Sequence, residues 1–133
     1  MTHIKNLQRG LLLVAGLALI PVAFNYGLNP QESIPHKFGF EITSINMAHI
    51  FRALMTLYLG MTALWFLGFF YDKARIPAIY ALTFFMLSIA SGRVLSILLD
   101  GMPSPIFFQF LAAETIFGTL GLILLIKGRK SSE

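Results

Sequence analysis

Two arginines and one glutamate stand inside long apolar runs of this sequence: Arg52 in "NMAHIFRALMTLYLGM", Arg93 in "SIASGRVLSILLDGM" and Glu114 in "FLAAETIFGTLGL". A guanidinium donates two parallel N–H groups to a carboxylate or phosphate, and a buried glutamate can carry a proton when burial raises its pKa. Each such group costs about 2.5–3.5 kcal/mol at the centre of a membrane helix on insertion scales, so the placement needs a physical reason. Snorkelling toward the headgroups would serve the arginines but leaves Glu114 without a partner. The sharper expectation is that Arg52, Arg93 and Glu114 face one another around a shared polar cavity.

Helical spacing supports that expectation. His49, Arg52 and Thr56 fall on one face, as do Arg93, Ser96 and Asp100, and Glu114 shares a face with Gly118 and Gly121. The two glycines would let a neighbouring helix approach beside the acid. Asn25, near the end of the first apolar run, is expected to hydrogen-bond at a helix end or to line the same pocket. The candidate ligand-binding set is therefore Arg52, Arg93, Glu114, His49, Asp100, Ser96 and Asn25. Tyr58 lies off these stripes and reads as packing or an interfacial hydrogen bonder.

The elements that carry these residues belong in lipid. Of 133 residues 56% are hydrophobic and 12% are charged, against roughly 25% charged in soluble domains. Four segments, about 10–27, 46–71, 77–99 and 105–126, reach the roughly 20 apolar residues needed to cross a bilayer. The fold class is thus all-α, a single-domain integral membrane four-helix bundle. The first segment also resembles an export signal, but no convincing small-residue cleavage site follows "LALIPVAFNYG", so it reads as an uncleaved anchor kinked at Pro21.

Punctuation sets the remaining boundaries. Pro77 suits the first turn of the third span, Gly101 its end, and Ser104-Pro105 the start of the fourth, making "DGMPSP" a tight turn. The segment 28–45 reads as an outer loop with Phe38 and Phe40 as interfacial anchors, and Trp65, Tyr71 and Tyr80 as further anchors. Gly60, Gly68, Gly92 and Gly118 read as close-approach positions.

The formal charge of +4 is distributed as flanks: Lys5 and Arg9, then Lys73 and Arg75, then Lys127, Arg129 and Lys130. The positive-inside rule places these, and both termini, in the cytoplasm. No aromatic residues interleave with the basic ones, which argues against nucleic acid as a partner. Arg52 and Arg93 then lie in the outer half of the bilayer, roughly 9 and 10 Å from the outer ends of their spans, with Glu114 about 14 Å deep.

There is no cysteine, and the three histidines, His3, His36 and His49, have no ligand spacing, so no metal site is indicated. No haem, flavin or iron–sulfur signature is evident either, so no cofactor is expected.

The run "YGLNP…HIFRALMTLYLGMTALWFLG…SGRVLSILLDGMPSP…AAETIFGTLGL" resembles a bacterial family of small four-span membrane proteins known as a domain of unknown function and similar to the DoxX-like group. The resemblance covers nearly the whole chain and rests most on Asn46, His49 and Arg52, on Gly92-Arg93, on "DGMPSP" and on Glu114. It implies a four-helix bundle in a bacterial cytoplasmic membrane, in a group that includes partners of quinone-linked oxidoreductases and assembly factors.

Three functions follow as expectations. The first is binding or moving a small anionic or amphipathic ligand, a lipid, quinone or small acid, in an outward-opening cavity. The second is an accessory subunit of a larger membrane complex or a homo-oligomer, with the polar residues locking helices in register. The third is an intramembrane enzyme using Arg52, His49 and Glu114. If the three charges share a cavity, Arg52→Ala and Arg93→Ala lower the melting temperature in detergent more than Arg→Lys does, and Glu114→Gln is mild.

Overall fold

The computed structural model describes residues 2–130, with side chains through residue 129. Five helices and no strands occur among the described residues: α1 (Thr2–Gly27), α2 (Pro30–Phe38), α3 (Ile45–Phe70), α4 (Asp72–Asp100) and α5 (Pro105–Lys130). The four long helices have 26 residues or more, about 39 Å at 1.5 Å per residue, which exceeds the roughly 30 Å of hydrocarbon. All four are apolar enough to span a membrane, and the protein is a helical membrane bundle. The surplus length explains why Lys5 and Arg9 lie within α1 rather than ahead of it.

The helices run up and down in chain order, each packed on the next, and α5 closes the ring against α1. One end of the bundle carries the start of α1, the end of α5 and the α3–α4 joint; the other carries α2 and the α4–α5 turn. The joint is a single residue, Tyr71, whose N–H donates to the Leu67 carbonyl at 2.8 Å and whose own carbonyl accepts from Ala74 at 3.0 Å. So short a link presses the two helices together, with Gly68 against Ala78. At the other end Gly101 closes α4 at φ 100°, a region that favours glycine. Pro105 opens α5, and the Ser104 carbonyl accepts the Phe107 N–H at 3.0 Å.

Three expectations about these elements need correction. Helix α4 begins at Asp72, so Pro77 lies inside it rather than in its first turn. The segment 28–45, expected to be a loop, contains α2. Pro30 starts this helix, the Asn29 carbonyl accepts the N–H groups of Glu32 and Ser33, and Gly39 ends it at φ 79°. Its Ile34 and Phe38 are buried and one turn apart, so an amphipathic stripe was hidden among prolines and polar residues. Phe38 is consequently a core plug and not an interfacial anchor; Phe40 is exposed and leans on Phe51.

Trp65 is the third correction, being fully buried. It ends a chain of aromatic contacts running Trp65–Phe85–Tyr58–Tyr26–Phe38, with ring centroids 5.3 to 5.8 Å apart. Three successive edge-to-face pairs lead to a stacked one, Tyr26 on Phe38, the arrangements that aromatic quadrupoles favour. Tyr71 and Tyr80 stay exposed.

Close approach is selective. A Cβ added at Gly27 would lie 2.8 Å from the Phe51 carbonyl oxygen and 2.9 Å from the Arg52 Cα, and one at Gly118 would lie 2.6 Å from Leu87. Gly60 and Gly92, expected to pack closely, face open space. Gly27→Ala should therefore destabilise the bundle by about 1–3 kcal/mol because backbone must move. Gly60→Ala should be neutral or slightly stabilising through helix propensity. Denaturant titration of both variants in detergent micelles checks the difference.

Candidate functional site

The centre of the site is an ion pair between α4 and α5. Arg93 donates from Nε to Glu114 Oε2 at 2.7 Å and from Nη2 to Oε1 at 2.9 Å. The side chains are 18% and 12% exposed, and the pair is well shielded. Position 114 faces inward because Gly118 and Gly121, on its own face of α5, let α4 come close at Leu87 and Thr83. The guanidinium carbon also lies 5.7 Å from the Phe107 ring centroid and 5.3 Å from that of Phe110, within cation–π range. Phe38 from α2 packs on both rings, so the short helix backs the pair indirectly. Tyr26 and Tyr58 complete the surroundings, within electrostatic range of Arg93.

Glu114 forms part of the wall of a central cavity of about 70 Å³. Apart from Glu114 and Tyr58, the lining is apolar, including Leu19, Phe85, Met86 and Phe110. Ala18 of α1 and Ala113 of α5 also line it, and both are exposed, so the cavity reaches the bundle surface between these helices. A second recess, on the other side of Arg93 between α4 and α5, is bordered by Gly92, Ser96, Pro103 and Phe107.

Arg52 does not join this pair. Its Nη1 donates to the carbonyl oxygens of Gly27 at 2.9 Å and Leu28 at 3.2 Å, at the C-terminus of α1. The close contact at Gly27 brings those carbonyls within reach, and a cation there complements the negative end of the helix. The expected three-charge cavity is therefore two separate sites.

His49 accompanies Arg52 in a recess at the loop end and does not line the Glu114 cavity, so Arg52, His49 and Glu114 do not share one site. Thr56 is bonded to its own helix backbone. Ser96 donates to Asp100 at 2.8 Å on the exposed rim of α4, away from the Arg93–Glu114 bonds. Asn25 contributes its carbonyl, which accepts the Ser33 hydroxyl at 2.7 Å and ties α2 to α1. Tyr58 is buried packing, T-shaped to Tyr26 and Phe85.

Sequence reasoning missed a second polar cluster at the terminal end. Gln8, 2% exposed, donates to the Leu124 carbonyl at 3.1 Å and accepts from Arg75 Nε at 2.9 Å. Arg75 also bonds Asp72, which takes Arg9 at 3.1 Å and faces Lys5 at 3.6 Å. The available signal was Asp72, an acid set directly before the basic residues Lys73 and Arg75.

The ion pair reverses the expectation for Glu114→Gln. An amide cannot neutralise Arg93, so Glu114→Gln and Arg93→Ala should each cost about 3 kcal/mol or more by leaving a shielded group unpaired. The double variant Arg93→Met/Glu114→Leu should recover most of the loss. A double-mutant cycle on unfolding in detergent measures the coupling. Arg52→Ala strands no acid and should cost less, about 1–2 kcal/mol, through lost capping.

No curated protein and no solved structure matches the chain. A family model described as "Domain of unknown function (DUF4345)" matches residues 7–125, and the chain belongs to that family.

Proposed function

We propose that the protein is a membrane-embedded binding module for an amphipathic ligand whose apolar chain enters from the bilayer between α1 and α5 and whose polar head meets the Arg93–Glu114 pair. The observation that carries this reading is a shielded glutamate, ion-paired to Arg93 behind it, in the wall of an apolar cavity that opens beside exposed Ala18 and Ala113. Both faces of the ligand are then matched: hydrocarbon to Leu19, Phe85 and Phe110, and hydrogen-bonding atoms to Glu114 and Tyr58.

Size and charge narrow the class. The cavity of about 70 Å³ is less than half of the roughly 150 Å³ that accommodates benzene in an engineered core. A flexible acyl or prenyl chain threads such a space more readily than a rigid ring, so a lipid or the tail of a quinone suits it. A small acid without a tail would leave the apolar lining unused and would compete with Glu114 for Arg93. The ligand head is thus an uncharged hydrogen-bonding group.

The basic residues at the terminal end, Lys5, Arg9, Lys73 and Arg75, support a topology with both termini in the cytoplasm. The resemblance to the DoxX-like group rests on the sequence motifs alone and brings no activity with it.

One observation favours a second reading, an accessory or assembly subunit. Arg93 and Glu114 satisfy each other, as a pair that only holds α4 to α5 in register would.

Native mass spectrometry after gentle extraction from the native membrane separates the two. A small protein species carrying an apolar ligand, lost in Ala113→Trp while the helical circular dichroism persists, is expected for the binding module. A stoichiometric larger complex, with no ligand and no effect of Ala113→Trp, supports the accessory role instead.

A further inference from the structure

A separate recess lies at the loop end, about 440 Å³ in volume, within the usual range of ligand pockets. It shares no lining residue with the central cavity. Arg52, His49 and Gln31 border it together with the hydroxyl-bearing Thr43 and Ser44. No carboxylate lines it, and Arg52 forms no ion pair among the described residues.

Arg52 is held in place by one nitrogen alone. Nη1 bonds the Gly27 and Leu28 carbonyls, whereas Nε and Nη2 have no hydrogen-bond acceptor among the described residues. Seven residues after the start of α3, Arg52 lies about 10 Å along the helix, where carbon surface borders the headgroup layer. An arginine at that level with unused donors is costly unless an acceptor is supplied from outside the chain. His49, one turn away on the same helix, is exposed and likewise makes no hydrogen bond among the described residues.

We propose that this recess binds a phosphate group, taken by the free edge of the Arg52 guanidinium with His49 and Gln31 beside it. A planar guanidinium edge matches two phosphate oxygens, and a recess with an unbalanced cation favours a charged ligand over a neutral one. The group can arrive as the headgroup of an anionic phospholipid or as a free phosphate. This inference is independent of the central cavity, so either can fail alone.

The test uses the full chain in maltoside micelles and phosphate-free buffer, with the melting temperature followed during titration. The probes are phosphatidylglycerol, diacylglycerol of the same chains, and inorganic phosphate at constant ionic strength. Phosphatidylglycerol should raise the melting temperature and diacylglycerol should not. Arg52→Gln should move the midpoint of that rise to about tenfold higher lipid, the loss of one charge-assisted contact.

Because Arg52→Gln also removes a helix cap, His49→Ala provides a second variant in which no hydrogen bond is broken; it should shift the midpoint several-fold in the same direction. A comparable rise with inorganic phosphate assigns a free anion, and a rise with the lipid alone assigns the headgroup. An equal response to diacylglycerol, no response to either phosphate source, or unchanged midpoints in both variants would overturn the proposal.

Discussion

An arginine in hydrocarbon has five N–H donors and a charge, and the surrounding medium offers it neither acceptors nor counter-ions. The bundle supplies both for Arg93 through a two-point bond to Glu114 and the faces of two phenylalanines. That requirement dictates much else. Glu114 must point inward, which needs the small residues Gly118 and Gly121 beside α4, and Phe107 and Phe110 must be held against the guanidinium, which needs a plug behind them. Phe38 is that plug, and α2 exists to deliver it.

The loop end follows from the same constraint applied to backbone. The last carbonyls of α1 have no intrahelical donors. Arg52 serves those of Gly27 and Leu28, and Gly27 is the residue whose missing side chain lets α3 come near enough. Ser33 of α2 serves the carbonyl of Asn25. One short helix and one arginine therefore satisfy the end of α1 and leave a polar recess on its flank.

The terminal end solves a different problem, an excess of cations. Asp72 gathers Lys5, Arg9 and Arg75, and Gln8 links Arg75 to the α5 backbone, joining α1, α4 and α5. The two ends are thus chemically unlike, and the only shielded charge pair facing an apolar space lies between them, among the described residues. That asymmetry is why the central pair, and not the basic cluster, is the better candidate for a ligand head.

Sequence alone determined the four spans, since apolar runs of that length have no other stable solvent, and it selected Arg93 and Glu114, since the cost of a charge in lipid is large wherever it falls. It also placed Gly101 and Pro105 at helix ends, where local backbone geometry decides the outcome. It did not reveal α2, whose buried Phe38 acquires its value from the aromatic rings of α1 and α5. Nor did it pair the charges. Periodicity gives the angle of Arg52 about its own helix but not the neighbour that helix meets, and α3 turns this face to the end of α1 instead of toward Glu114. Which acceptor an arginine finds is a property of helix packing, and that was decided only in the tertiary structure.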